Sequence, residues 1–556
     1  MHEIVTLQFG HYANFVGTHF WNTQEAHFNY QQPGDEEETK PELVNHDCLY
    51  RIGMTNKGVE TYTPRALIYD LKGGFGSIKK YKLYDSEPAQ GQYNQTQDLS
   101  WDPSHMETYQ EPAYQRSAYQ QHLEDEEMGL ATEADEDDVE LNATNTWSDF
   151  NRVYFHPKSM VTISGYQMNS EFMPFDVFSY GRAAFTDTEK EKDTYDENLR
   201  LFTEECDQLQ ASPAWSISIG FQVLADVLNG WGGYATSYLE QLREDFPKAT
   251  IVTYGLSDDQ MRKTSTMKER QIGAVNETLA MTNLSTLSSL YVPVRAPSAR
   301  QRAADGWSKN IRIDTSNRYH TSAFISAGID SALLPCRLRR SPVFMADMIG
   351  SLNWRSITTV GTLSVGLPFP FGSSKLPELV GQRSPLLDLS TLKSDIDDKV
   401  FSQSVVLRGL ETNQFAKYAV GTQYSPSDVV DNLLDTLAIE KSLGDTRIST
   451  PFKYPIPTSF PRFFQGLTPE GYQAFDRSPS NTREDGTSKV ESVPTISRLA
   501  VSSTTRWHLQ SLSDSVKRVD LRLLPQFEGD GPGGVSTDEF ADAKETLLDM
   551  YDIYNE

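Results

Sequence analysis

The sequence has few cysteines and no long apolar run. Cys48, Cys206 and Cys336 are its only cysteines, and no CxxC pair occurs. This spacing excludes a disulfide framework and a zinc ribbon, and it suits a reducing compartment. No apolar run approaches the ~18 residues that a membrane-spanning helix needs. The first residues carry Glu3 and no arginine, so we expect no secretory or matrix-targeting leader and at most peripheral attachment to a membrane.

Positive charge is also scarce. Lysine and arginine number 50 against 77 acidic residues, which gives a net charge of -27. An acidic surface repels nucleic acid, so we expect no direct contact with DNA or RNA. Histidines such as His320 and His508 are isolated, and the sequence contains no Ser-His-Asp set, metal-ligand cluster or Walker motif. These absences give no support to a hydrolase or a metalloenzyme.

Apolar residues are present in sufficient number for substantial cores. The 556 residues are 38% hydrophobic and 11% aromatic, which predicts two or three folded domains. The segment from Asp193 to Leu209 has helical periodicity. Strands are predicted over Thr61–Leu71, Trp215–Phe221 and Ala249–Leu256, and a helix is predicted over Ala235–Phe246. This alternation predicts a parallel sheet with helices on both faces.

The N-terminus has the pattern of a strand, a tight turn and a helix. An apolar run from Ile4 to Phe9 ends at Gly10, and the apolar residues of the next segment, among them Phe15 and Trp21, recur at helical spacing. Amides at the start of such a helix point into the crevice above the strand ends, where they favour a phosphate. Taken alone, this pattern is also typical of turns that only connect two elements.

Short motifs in one order along the chain resemble tubulin. They are GHYANFVG at 10–17, YTPRALIYDL at 62–71, NTWSDF at 145–150, CDQLQ at 206–210 with GFQ at 220–222, REDFP at 243–247 and NETLA at 276–280. The sequence is therefore similar to the tubulin and FtsZ superfamily. Within it, the chain most resembles the divergent Misato family, in the fungal branch associated with mitochondrial partitioning and mitochondrial DNA inheritance.

The resemblance implies an α/β, tubulin/FtsZ-like fold. A Rossmann-type parallel-sheet domain of the nucleotide-binding type is expected over residues 1–290, followed by a connector over 291–318, an α+β second domain over 319–500 and C-terminal helices over 501–556. The connector shows no long helical period at the place where tubulin has its central helix. Further strands or helices of the second domain are predicted over Val405–Leu410 and Phe415–Val420. The closing helices are predicted over Thr505–Val519 and over Asp538–Tyr554. The apolar side of the last helix is expected to pack in the core, with docking on a membrane as the alternative, which its acidic polar face disfavours. Its residues are Phe540, Leu547, Leu548, Tyr551 and Tyr554.

An acidic segment at residues 85–142 interrupts the first domain. It ends in the run HLEDEEMGLATEADEDDVE, and such a density of like charge predicts a largely disordered insertion. Its aromatic residues Trp101, Tyr109, Tyr114 and Tyr119 leave room for a short docked helix. The insertion would hinder tight longitudinal stacking, so we expect no polymer or weak assembly.

The resemblance also implies a nucleotide site, with GTP and Mg²⁺ as the candidate cofactors. Its expected residues are Gly10, His11, Asn14, Asp70, Asn145, Gly230, Gly232, Gly233 and Asn276. The chain departs from the tubulin pattern at three places, because His11 and Tyr12 are bulkier than the family residues, Lys72 replaces an acid, and Trp231 interrupts the glycine-rich loop. Asn145 and Asn276 have the alternative role of turn caps. Asp347 is a weak candidate for the acid that a neighbouring subunit supplies for hydrolysis; no catalytic residue is otherwise expected.

These departures favour a protein without catalysis, or with weak nucleotide binding, that acts through protein contacts. The resemblance implies a role in partitioning mitochondria and inheriting their DNA, at the cytosolic face of the mitochondrion and in the cytoplasm. The alternatives are an active GTPase switch and an assembly factor with cytoskeletal or chaperonin subunits as partners.

Overall fold

The fold is described from a computed structural model. It describes residues 3–28, 43–54, 60–76, 78, 117–128, 144, 146–170, 172–192, 194–210, 219–258, 266–298, 310–369, 386–391, 393, 398–410, 426–436, 439, 442, 444–472, 481–483, 485–527 and 534–555. Within these ranges, no helix combines the length and the apolar character that crossing a bilayer requires.

The described chain alternates strands and helices through its first half. The strands are β1 (Ile4–Phe9), β2 (Tyr50–Met54), β3 (Glu60–Pro64), β4 (Ala66–Lys72), β5 (Met160–Gln167), β6 (Gly220–Asp226), β7 (Thr250–Ser257), β8 (Leu290–Arg295), β9 (Thr362–Gly366), β10 (Leu387–Asp388), β11 (Val400–Arg408), β12 (Gly444–Thr450), β13 (Tyr454–Pro455), β14 (Ser492–Val493) and β15 (Thr495–Ser502). The helices are α1 (His11–Glu25), α2 (Ala118–Glu127), α3 (Phe178–Lys192), α4 (Thr194–Gln210), α5 (Trp231–Asp245), α6 (Met267–Leu287), α7 (Arg318–Leu333), α8 (Met345–Leu352), α9 (Pro426–Thr436), α10 (Thr505–Val516) and α11 (Thr537–Asn555).

The first sheet is parallel and has the order β5-β4-β1-β6-β7-β8. Every residue of β1, β6 and β7 is buried, as expected for strands covered on both faces. Phe9 packs against Tyr234 of α5 at 5.8 Å between ring centroids, whereas its neighbour Gln8 lies against Gly17 of α1. Since successive strand side chains point to opposite faces, α1 and α5 cover opposite faces of the sheet. This arrangement confirms the predicted parallel sheet with helices on both faces.

Helix α7 connects the two sheets. It packs against α1 on one side and against β9, β11 and β15 of the second sheet on the other, and nearly all of its residues are buried. The expected connector over 291–318 is therefore placed differently, because residues 291–295 belong to β8 and residue 318 begins the joining helix. A helix that is buried all round has no polar face, so its periodicity gives no signal.

The second sheet is mixed and has the order β10-β9-β15-β11-β12. Strand β11 pairs with β12 in parallel and with β15 in antiparallel fashion. A separate small core, formed by Val405, Leu407, Leu433, Leu434 and Ile496, lies between this sheet and α9. The strand or helix predicted at residues 405–410 is confirmed as part of β11, whereas the one predicted at 415–420 lies outside the described residues.

Three element boundaries differ from those predicted. The expected strand over residues 61–71 is broken near Pro64 into the hairpin strand β3 and the sheet strand β4. The strand predicted from Trp215 begins at Gly220, with residues 211–218 outside the described ranges. The helix predicted from Ala235 begins at Trp231, so the glycine pair at 232–233 is helical. Helix α4 agrees with the amphipathic helix predicted over 193–209.

A short helix docks within the acidic insertion, as its aromatic residues had suggested. On α2, Tyr119 is buried and its hydroxyl lies 3.2 Å from Thr458 Oγ1. Gln120 donates hydrogen bonds to the carbonyls of Ser148 and Asn151. The rest of the predicted disorder falls outside the described residues.

The two closing helices pack against each other and against α6. Phe540, Leu547 and Tyr554 are buried as predicted, and the Tyr554 hydroxyl accepts a hydrogen bond from the Val360 amide at 2.7 Å. Leu548 is 54% exposed, so its predicted core position was wrong. A helix of this length presents only one stripe to its neighbours, and position 548 lies outside that stripe.

Candidate functional site

A cavity of about 250 Å³ lies at the carboxyl ends of the first sheet's strands. Residues that follow or end β1, β4, β5, β6 and β7 line it, which is the crevice where open α/β sheets bind ligands. Two of the expected site residues, His11 and Asp70, line the cavity directly. Asn145 lies outside the described residues.

The turn between β1 and α1 is closed by Asp226, at the end of β6. Gly10 adopts a φ of 110°, and a Cβ on it would lie 2.5 Å from Asp226 Oδ2, so only glycine fits. The backbone amides of Tyr12 and Ala13 donate to the Asp226 carboxylate at 3.1 and 2.8 Å. The helix amides expected to face a phosphate therefore already bind a side-chain carboxyl group of the chain.

The environment of Asp226 changes its protonation. Burial raises its pKa to about 7, while the hydrogen bonds from the Tyr12 and Ala13 amides act in the opposite direction. A carboxyl group with this pKa exchanges its proton near neutral pH. A carboxylate in this position competes for the amides that an anionic ligand would use.

Asp70 is also engaged by groups of the chain itself. It is buried, and it accepts hydrogen bonds from the Asn14 side-chain amide at 3.0 Å and from the Trp147 indole at 2.9 Å. Both of these donors bind Oδ2, and the Leu71 amide binds Oδ1 at 2.8 Å. Among the described residues, no group of three or more histidine, cysteine or acidic side chains is placed to hold a metal ion. A magnesium ion would have to compete with these donors for Asp70.

His11 lines the cavity beside Asp70. Its Nδ1 is 3.3 Å from Asp70 Oδ2, and its ring packs edge-on against Phe15. Within the described part of the chain, its buried Nε2 has no hydrogen-bond partner. His11 therefore forms part of the wall of the cavity.

The three glycines of the expected phosphate loop lie at helix contacts. A Cβ on Gly233 would lie 1.9 Å from the Phe178 carbonyl oxygen, and a Cβ on Gly232 would lie 2.9 Å from Ala280 Cβ. Gly230 precedes α5, and its amide donates to the Phe175 carbonyl at 3.1 Å. None of the three is among the residues that line the cavity. The packing of α5 against α3 and α6 requires Gly232 and Gly233 to be small. The role of the three glycines in holding a phosphate stays a prediction.

Asn276 sits behind the cavity wall and not in it. Its Oδ1 accepts a hydrogen bond from the Phe178 backbone amide at 2.9 Å. Its side-chain NH2 group donates hydrogen bonds to the carbonyls of Asp176 and Leu228 at 2.6 and 2.9 Å. The side chain is completely buried and has no hydrogen left for a base. Asn276 therefore holds two wall segments in place, a role closer to the alternative of a structural asparagine.

The cavity contains charged residues that the sequence analysis did not select. Arg318 Nε lies 2.7 Å from Asp258 Oδ2, and both side chains line the cavity together with Asp176 and Asp226. Burial raises the pKa of Asp176 as well. Asp226 and Asp258 come at the carboxyl ends of buried strands, as Asp70 does, and that shared position is the signal that would have identified them. Asp347 is exposed on α8 and lies outside the cavity wall.

Comparison with protein-family models gives two matches. A model described as a tubulin domain matches residues 138–338. A model described as the Misato Segment II tubulin-like domain matches residues 2–125. Together these ranges include the first sheet and the helix that joins it to the second.

Individual relatives extend the similarity over nearly the whole chain. The protein named dml1 from Aspergillus clavatus is 31% identical over 532 residues, covering 93% of each chain. The protein named misato homolog 1 from Bos taurus is 29% identical over 586 residues, covering 99% of this chain and 96% of its own. The dml1 protein from Aspergillus niger is 36% identical over 355 residues, and that alignment covers 63% of this chain and 65% of the relative.

Proposed function

The chain belongs to the Misato family of tubulin-like proteins, and we propose that it works as a scaffold through protein contacts, without turnover of GTP. We further propose that these contacts serve the partitioning of mitochondria and the inheritance of mitochondrial DNA. This part of the proposal rests on the resemblance to the family's fungal branch.

The observation that carries the scaffold proposal is the pair of hydrogen bonds between Asp226 and the first turn of α1. Free amides at a helix N-terminus bind phosphate in many nucleotide sites. Here the Tyr12 and Ala13 amides are occupied by the Asp226 carboxyl group. A nucleotide phosphate would have to displace that group, and when Asp226 is ionised the two anions in a buried site would also repel each other.

The charge of the cavity supports the same conclusion. Four aspartates line it, at positions 70, 176, 226 and 258. Arg318 is the only arginine among the described lining residues, and it is already paired with Asp258. A triphosphate would therefore meet more negative than positive charge, which lowers its affinity.

We propose the cytosolic face of the mitochondrion and the cytoplasm as the places of action. Cytoskeletal or chaperonin subunits are the proposed partners, on the ground of the tubulin resemblance. The net charge of -27 supports an indirect effect on mitochondrial DNA, because an acidic protein is repelled by a duplex.

Nucleotide content tests the scaffold proposal. Freshly purified protein is denatured, and the released small molecules are separated and quantified. We expect no stoichiometric guanine nucleotide and no heat of binding on titration with Mg-GTP. Stoichiometric guanine nucleotide in the unaltered protein would overturn the proposal.

A substitution at Asp226 sharpens this test. Asp226→Ser removes the carboxylate from the α1 amides, so we expect a gain in Mg-GTP affinity. Asp176→Asn is the matched control, since it removes one negative charge from the same cavity and leaves the α1 amides occupied. Equal gains in both variants would show that overall charge, and not the occupied helix terminus, limits binding.

The second candidate function is a GTPase switch. It is favoured by the position of the cavity at the strand ends. GTP turnover that falls on Asp347→Ala, with Mg-GTP binding unchanged, would support this candidate. Recovery of chaperonin or tubulin subunits with the purified full chain from cytosol, but not from mitochondrial surfaces, would instead favour an assembly factor.

A further inference from the structure

A second cavity, of about 450 Å³, lies away from the strand-end cavity. It is formed where the end of β8, the segment that follows β10 and one face of α10 meet. The first sheet, the second sheet and the C-terminal helices each contribute residues to it. Neither the tubulin-like motifs nor the proposed function involves this place.

Arg295, the last residue of β8, provides a buried guanidinium group in the wall of this cavity. The residue is 9% exposed and forms an ion pair with the buried Glu277, with 3.6 Å between Arg295 Nη2 and Glu277 Oε1. In the described part of the chain, Arg295 Nε has no hydrogen-bond partner. A buried N–H donor without an acceptor is costly, and an acceptor that entered the cavity and reached Nε would relieve that cost.

A second cation and an aromatic ring complete the polar wall. The Lys393 ammonium lies 5.7 Å from the centroid of the Trp507 ring, which limits the positions it occupies. Gln510 and Ser511 add side-chain donors from the exposed face of α10. Asp514 is the only acidic residue among the described residues of the wall.

We propose that this second cavity binds a small oxyanion, either a phosphate or a carboxylate group, with Arg295 and Lys393 as its charged contacts. In a chain with a net charge of -27, most of the surface repels such a ligand. The wall of this cavity carries two cations and one carboxylate, and hydroxyl and amide donors surround them, while Glu277 balances part of the charge of Arg295. A ligand held there contacts three parts of the fold at once and would stabilise their mutual arrangement.

Titration of the full-length protein with pyrophosphate and with citrate, at matched ionic strength, tests the proposal. Isothermal titration calorimetry gives the affinity, and thermal unfolding gives an independent measure of stabilisation. Preference for pyrophosphate identifies the phosphate group as the ligand, and preference for citrate identifies the carboxylate. Absence of binding and of stabilisation by both anions overturns the proposal.

Substitutions on the exposed part of the wall locate the binding without disturbing the core. Ser511→Glu places a carboxylate in the cavity and is expected to weaken binding about tenfold or more, and Lys393→Ala is expected to weaken it several-fold. Asp514→Asn removes the one acidic group and is expected to tighten binding about threefold. The opposite signs of these effects distinguish a cavity site from a general loss of structure.

Matched controls lie outside the cavity. Lys517→Ala removes a lysine charge just past the end of α10, and Asp549→Asn removes an exposed acidic charge on α11. We expect both to leave the anion affinity within twofold of the unaltered protein. Equal effects in the controls and the cavity variants would overturn the proposal, because the anion would then respond only to net charge.

Discussion

The carboxylate of Asp330, on the joining helix α7, lies 2.7 Å from the guanidinium of Arg408 at the end of β11, and neither side chain is exposed to solvent. Arg337 pairs with the same carboxylate at 2.7 Å. Burial by itself would raise the pKa of Asp330, but the two arginines outweigh it and lower that pKa below its ordinary range. One buried carboxylate thus holds two buried cations between the two sheets.

Removing this carboxylate should destabilise the protein strongly. Asp330→Ala leaves Arg337 and Arg408 buried without their shared counter-ion, and breaking a buried pair in this way typically costs about 3–5 kcal/mol. Asp347→Ala is the control, since it removes an exposed aspartate from α8, and we expect it to change the free energy of unfolding by less than about 0.5 kcal/mol. Urea unfolding followed by tryptophan fluorescence measures both. Similar effects in the two variants would contradict the buried network.

The pH dependence of stability should report on Asp226. Its folded pKa is raised by burial to about 7 from an ordinary value of 3.8, so the folded state holds this proton more tightly than the unfolded chain. The contribution to stability is therefore fully present below about pH 4 and is lost as the pH rises toward 7. Asp226→Asn cannot titrate, so its thermal unfolding temperature should decline less than that of the unaltered protein between pH 4 and pH 7. Parallel pH profiles for the two proteins would show that Asp226 has an ordinary pKa.

Most of the fold was predictable from the tubulin-like motifs and from the hydrophobic periodicity of the strands and helices. The run from Ile4 to Phe9 is β1, and the matches to tubulin lie along the strands and helices of the first sheet. The joining helix α7 was missed as a central helix, because Tyr319 to Leu333 are mostly buried and so lack an amphipathic pattern. The strand end at Pro64 was missed as well, since a hairpin and a sheet strand with one residue between them read as one run.

The site was less predictable because it depends on contacts between distant residues. Gly10 and Asp70 were identified from their motifs, but Asp226 lies 214 residues from Tyr12, whose amide it binds. A glycine pair at positions 232 and 233 looks the same in the sequence whether it faces a phosphate or another helix. The contact with another helix is visible only in the structure, where a Cβ on Gly233 would lie 1.9 Å from the Phe178 carbonyl oxygen.

Loss of the Asn276 side chain should loosen the wall of the strand-end cavity. Asn276→Ala removes the acceptor of the Phe178 amide and the donor to the Leu228 carbonyl, and each buried group left without a partner costs about 1–3 kcal/mol. We expect faster hydrogen exchange at the Phe178 amide, together with lower stability. Asn283→Ala, on the same helix, removes one hydrogen bond to the Leu279 carbonyl and should leave exchange at Phe178 unchanged. Unchanged exchange at Phe178 in Asn276→Ala would contradict this role.

Glycine substitutions separate a packing role from a phosphate-binding role in the segment that begins α5. Gly233→Ala would place a Cβ 1.9 Å from the Phe178 carbonyl oxygen, so α3 and α5 must move apart, at a cost of about 1–3 kcal/mol. Gly350→Ala is the matched control, because nothing lies within 4 Å of its Cβ position on the exposed side of α8, and alanine there should raise stability by up to about 1 kcal/mol. Chemical unfolding in the absence of any nucleotide measures both changes. If the glycine served a phosphate, Gly233→Ala would leave the stability of the empty protein unchanged; a loss of stability without nucleotide means that its small size is required by the contact between the two helices.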